Sequence, residues 1–174
     1  MAVLYFQGLC YHLDVKRTKK MSADDWKDRL RMFIDSVSVL ERCKHETRGN
    51  FKQFCEFIAE TAFEALAEEM KEYKIKVKFW TETGKSTGIR LDFPNSHVPS
   101  FHYIISLPQN SVEMKLRLQV KGRTSPDGPS QDMEEVFMES VPPEKVMKIG
   151  KEELLNDIIE HFKNYVFAAL TSVK

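Results

Sequence analysis

Between residues 74 and 141 the sequence divides into five short segments, KIKVKFW, GIRLDF, FHYIISL, VEMKLRLQVKG and EEVFMESV, separated by turn-forming residues. Apolar and polar residues alternate within them. The pattern is most regular over 114–123, where Met114, Leu116, Leu118 and Val120 interleave with Lys115, Arg117, Gln119, Lys121 and Arg123. A period of two marks strands with one buried face. The links TETGKST and PNSHVPS are too short for a helical crossover, which needs a dozen residues or more, so neighbouring segments must pair antiparallel. The expectation is a meander of about five strands. GRTSPDGPSQDM, rich in Gly, Pro, Ser and Asp, predicts a longer flexible loop before the fifth.

Such a sheet needs an apolar cover, and helical periodicity before and after it supplies one. Ser22 and Asp25 resemble a capping box, after which Trp26, Leu30, Phe33, Ile34, Val37 and Leu40 form one stripe as far as about Cys43. HETRGN, residues 45–50, interrupts the pattern, and Asn50 can cap a second helix with the stripe Phe51, Phe54, Cys55, Ile58, Ala62, Leu66 and Met70. Phe57 and Phe63 widen that stripe, predicting contact with both the first helix and the sheet, and Glu56, Glu60, Glu64 and Glu68 predict a solvated face. After VPPEKVMKIG, a long third helix carries Leu154, Leu155, Ile158, Ile159, Phe162, Tyr165, Val166, Ala169 and Leu170 on one broad face. Its partners are the inward residues Ile75, Val77, Phe79, Ile89, Leu91, Phe93, Leu116 and Leu118, giving a two-layer α+β fold with one sheet face covered.

A chain of 174 residues, 42% hydrophobic and 30% charged, suits one domain, taken as 21–174. Residues 1–20 are set apart: MAVLYFQG contains LYFQG, which resembles the tail of a protease site used to remove purification tags, and an N-terminal segment follows. Lys and Arg number 26, as do Asp and Glu, so no global field draws the chain to nucleic acid or anionic lipid, and any such role must come from local patches. Three irregularly spaced cysteines, Cys10, Cys43 and Cys55, form neither a disulfide framework nor a CxxC zinc pair. With no run of about 18 apolar residues and no signal-like opening, a cytoplasmic location without membrane contact is expected.

Catalytic signals are weak. GKST at 84–87 matches the end of a phosphate-binding loop, but the first glycine of that motif would fall on Phe79 and the segment leads into a strand, so it predicts a hairpin turn. Asp92, Gln119 and Lys121 resemble the metal and lysine set of PD-(D/E)xK nucleases, whose carboxylate and amide oxygens hold Mg²⁺ while the lysine orients water. Alternation puts the three on one polar face. In a sequential meander, however, FHYIISL separates Asp92 from the other two by two strand spacings, roughly 10 Å, and a solvated face is the preferred reading. His97, His102 and Asp92 lack the spacing of a metal site, no serine sits in a G-x-S-x-G elbow, and no metal or cofactor is expected.

The basic face is the strongest functional signal. Lys74, Lys76 and Lys78, Arg90, and Lys115, Arg117, Lys121 and Arg123 share one polarity of the alternation, with Trp80 the ring expected outside. Such a surface could bind single-stranded nucleic acid. It could equally be neutralised across strands: with Val136 and Met138 inward, Glu135, Phe137 and Glu139 would face outward beside the fourth strand. Edge lysines in KIKVK would also block strand addition. The preferred reading is a non-catalytic, chaperone-like module that binds a protein partner or itself, with homodimerisation in view. A nucleic-acid binder, or a divergent Mg²⁺ nuclease using Asp92, Gln119 and Lys121, is the alternative.

Overall fold

Five strands form one antiparallel sheet in the order β1-β2-β3-β4-β5, with β1 at Lys76–Glu82, β2 at Ser86–Asp92, β3 at Phe101–Ser106, β4 at Arg117–Arg123 and β5 at Ser130–Val136. The computed structural model describes residues 25–93, 100–123 and 130–171, with the backbone alone at 123, 130 and 131. The helices are α1, Asp25–Phe54, α2, Glu60–Met70, and α3, Lys151–Thr171; a π-helical segment, Cys55–Ala59, joins the first two, and a 3₁₀ helix, Pro143–Lys148, precedes the third. The fold is α+β, with the antiparallel meander and carboxyl-terminal helix that the periodicities predict.

By its internal contacts the chain divides into two units, residues 1–38 and residues 39–174. The described part of the first is the amino-terminal stretch of α1. Ser22 of the expected capping box lies outside the described residues.

The second unit holds the core. Ile89 and Leu91 of β2, Phe101, Tyr103 and Ile105 of β3, Leu118 and Val120 of β4, and Leu154 and Ile158 of α3 are buried together with Phe63 and Leu66 of α2. α2 packs on α3 and β1, and α3 also meets β3 and β4. A side chain at Gly122 would come within 2.1 Å of Tyr165 Cε2, so glycine lets α3 approach β4. The β1–β2 hairpin closes through Gly84 at φ 72, with the Lys85 N–H donating to Glu82 O at 2.9 Å. GKST therefore begins in a turn, where Gly84 takes the left-handed conformation, and runs on into β2 at Ser86.

Two expectations shift. The two amino-terminal helical segments are not parted at 45–50; α1 runs straight through HETRGN. An interior glycine such as Gly49 costs a helix about 1 kcal/mol relative to Ala, but Thr47, Phe51 and Phe54 are buried on that stretch and hold it helical. The second shift is in β5, which starts at Ser130 rather than near Glu134, with a turn at 137–140 that includes Met138 at φ 44. Arg117 pairs with Val136, Gln119 with Glu134 and Lys121 with Asp132, so Asp132, Glu134 and Val136 share the open face, whereas Glu135 points to α3 and Phe137 is buried edge-on to Phe54 at 5.9 Å. The expected inside-out assignment of Glu135 and Phe137 is thus reversed. A one-residue change of phase moves every side chain of a strand to the other face.

Candidate functional site

Among the described residues three places offer chemistry or contact surface. The first is α1. Within the amino-terminal unit Trp26, Leu30, Phe33, Ile34 and Val37 are all exposed, Trp26 at 54% and Phe33 at 61%. Trp26, Leu30, Phe33 and Val37 follow steps of four, three and four, the spacing of a coiled-coil seam.

The second is the uncovered sheet face. Cross-strand register aligns Lys78 with Arg90, Arg90 with His102 and His102 with Lys121, so four basic or titratable side chains stand in one row across β1 to β4, with Asp132 of β5 at its end. The next row holds Trp80, Gly88, Ile104, Gln119 and Glu134. The benzo edge of Trp80 sits where a side chain on residue 88 would be, 2.7 Å from the place of its Cβ, and the indole meets the His102 ring edge-on at 6.5 Å. Ion pairs temper the charge: Arg90 to Asp92 at 2.7 Å, Arg117 to Glu134 at 2.8 Å and Lys121 to Asp132 at 3.7 Å. Burial, then the charge of Arg90, holds the His102 imidazole below its ordinary pKa against the pull of Asp92, and Lys121 lowers it further.

The expected basic residues separate into groups. Lys76, Lys78, Arg90, Arg117 and Lys121 come together on the open face. Lys74 lies in the turn before β1 at φ 58, and Lys115 precedes β4, paired with Glu113 at 2.5 Å. Arg123 ends β4 opposite Ser130, and its side chain lies outside the described set, as does His97. Asp92 stands on β2 while Gln119 and Lys121 stand on β4, with β3 between them, and Asp92 is bound to Arg90. The register does not bring the nuclease-like trio together. Among the described residues no group of three His, Cys, Asp or Glu side chains is arranged to hold a metal ion. His102 is the member of the row that alternation alone did not assign; its parity with Arg90 across the hairpin was the available signal.

The third is a polar chain beneath α3. The Tyr103 hydroxyl, deeply buried, donates to Asp157 Oδ2, while His161 holds the Asp157 carbonyl through Nδ1 and Glu135 through Nε2, each at 2.8 Å. Burial, followed by the adjacent Asp157 charge, drives the tyrosine pKa well up, so it remains a donor. An open depression of about 630 Å³ beside it is lined by Glu135, Val136, Met138, Glu139, Asp157 and His161. All polar members of the chain have partners, which identifies it as a structural tie between helix and sheet. Cys55 offers no nucleophile, because burial, then Glu60 and Glu56, push its thiol up to about 12.

Among the described residues no helix is long and apolar enough to cross a membrane. No family model, curated protein or solved structure matches the chain.

Proposed function

We propose that this chain is a non-catalytic protein-binding module whose α1 seam pairs with the same seam of a second copy. The observation that carries the reading is the exposure of Trp26, Leu30, Phe33 and Val37 at coiled-coil spacing, which the sequence extends to Leu40. Fully burying an aliphatic or aromatic side chain of this size is worth about 1.5–3 kcal/mol, and soluble monomers rarely leave contiguous apolar surface of this extent open. A two-fold arrangement needs only one self-complementary patch.

The flanking residues favour a second copy in antiparallel orientation. With Trp26, Phe33 and Leu40 at one seam position and Leu30 and Val37 at the other, Lys27, Ile34 and Glu41 occupy the same flank. Antiparallel packing of Leu30 opposite Leu40 of the partner sets Lys27 beside Glu41 twice and Ile34 beside its own copy. Parallel packing offers Ile34 to Arg29 and Glu41 to Ser36, with no charge pair. Light scattering on the eluting full chain is expected to give twice the 20.3 kDa of one chain. Leu30→Glu with Val37→Glu, which puts charge into the seam, should raise the dimer Kd at least about 100-fold without loss of helical circular dichroism. Lys27→Glu or Glu41→Lys alone should weaken the dimer, and the two together should restore it. A wild-type monomer at about 100 μM, far above the Kd expected of a stable interface, sinks the reading.

A further inference from the structure

We propose that the open sheet face binds single-stranded nucleic acid, its phosphates lying along Lys78, Arg90, His102 and Lys121 and a base stacking on Trp80. The row is the starting observation. Like charges directly opposite one another on adjacent strands destabilise a sheet, yet here Lys78 stands directly opposite Arg90, and the row continues through the His102 imidazole to Lys121. Protection of an edge against strand addition accounts for Lys76 and Lys78 on β1. It does not account for Arg90, His102 and Lys121, which stand on the interior strands β2, β3 and β4.

Neutralisation within the protein is incomplete. Asp92 holds Arg90 and Asp132 holds Lys121, but among the described residues no carboxylate forms an ion pair with Lys78, at the β1 end of the row. At strand spacings of about 4.8 Å the row spans about 14 Å, a length over which an extended backbone presents several phosphates.

Trp80 selects a single strand over other polyanions. Gly88 lies directly opposite it, and the indole occupies the space that any other residue 88 would fill, so the ring leans across β2 beside the row and remains 38% exposed. A large ring next to a basic track is the pairing with which sequence-tolerant single-strand binders work. A shallow sheet face enters neither groove of a duplex. The inference stands on the sheet alone and is independent of the α1 seam.

The test is fluorescence anisotropy of a labelled oligo(dT) of about 10 nucleotides, short enough to occupy one face, titrated with the full chain at several salt concentrations. With two or three phosphates neutralised, affinity is expected to fall about 7- to 20-fold between about 50 and 200 mM salt. Lys78→Gln with Lys121→Gln should flatten that dependence. Trp80→Leu still covers Gly88 but cannot stack, and should weaken binding about 5- to 150-fold, whereas Trp80→Phe should retain most of it. Four outcomes overturn the proposal: no binding at about 100 μM protein and low salt, a salt dependence unchanged in the double variant, equal affinity for Trp80→Leu and wild type, or capture of phosphatidylserine vesicles with the oligonucleotide left free.

Discussion

His161 has both ring nitrogens against acceptors, the Asp157 carbonyl and the Glu135 carboxylate. A neutral imidazole donates through one nitrogen only, so the protonated ring alone satisfies both. Burial by itself would lower the His161 pKa, but the two hydrogen bonds and the charges of Asp157 and Glu135 outweigh it and raise the group above its ordinary value of 6.5. The groups facing the ring are thus Asp157 on its own helix, Glu135 on β5 and the Tyr103 ring on β3, edge-on at 5.6 Å. Because the folded pKa is raised, the stabilisation is fully present below the unfolded value and disappears as pH rises through the folded one. Urea unfolding of wild type and His161→Gln should therefore differ more at about pH 5.5 than at about pH 9; an equal gap at both would remove the ring's charge from the account. Tyr103→Phe, which leaves the Asp157 carboxylate without its hydroxyl donor, should cost about 1–3 kcal/mol at either pH.

At the scale of elements, the π-helical segment explains how one apolar stripe serves both α1 and α2. The buried positions run Phe51, Phe54, Cys55, Ala59, Ala62, Phe63 and Leu66, so Cys55 leads to Ala59 in a step of four while Phe54 and Ala59 stand five apart, one π turn. The i to i+5 turn, closed by the Glu60 N–H on Cys55 O, absorbs the fifth residue and leaves Phe57 70% exposed. Deleting Phe57 converts the π turn to a regular one and leaves the buried positions at steps of three and four, so the shortened chain should fold with a stability change of about 1–2 kcal/mol or less. Deleting Ala65, where no π turn can absorb the change, turns Leu66 by about 100° about the helix axis relative to the preceding buried residues and should unfold the second unit; melting curves followed by circular dichroism that show equal loss for both would refute the stripe account. The strands were readable because each burial choice repeats every second residue over several residues. The α1–α2 junction was not, because HETRGN looks like a break by propensity and only the burial of Thr47 and Phe51 shows otherwise. The phase of β5 escaped for a similar reason: SQDMEEV is nearly polar throughout, and its pairing with β4 rather than its own pattern decides which side faces α3. The basic residues of the open face were legible from parity alone, whereas their alignment into a row depends on hairpin register, which local sequence does not carry.

The molecule as a whole has 26 basic and 26 acidic side chains, so its surface can act on partners only where charge or apolarity is locally concentrated. The two concentrations differ in kind. The α1 seam is apolar and the sheet row is cationic, and salt acts on them in opposite directions: ions screen phosphate contacts and compete for the row, but leave apolar burial unchanged or strengthen it. Raising KCl from about 50 to about 500 mM should therefore release the oligonucleotide while the dimer persists. Variants extend the comparison. Leu30→Glu with Val37→Glu should abolish dimerisation and leave short-oligonucleotide affinity within about twofold, because sites that share no side chains act additively to within about 0.5 kcal/mol. Lys78→Gln with Lys121→Gln should do the reverse, and the quadruple variant should show both losses together. If disrupting the seam also removed oligonucleotide binding by a folded monomer, the strand would have to engage residues of both copies, and the sheet row could not be a complete site within one chain.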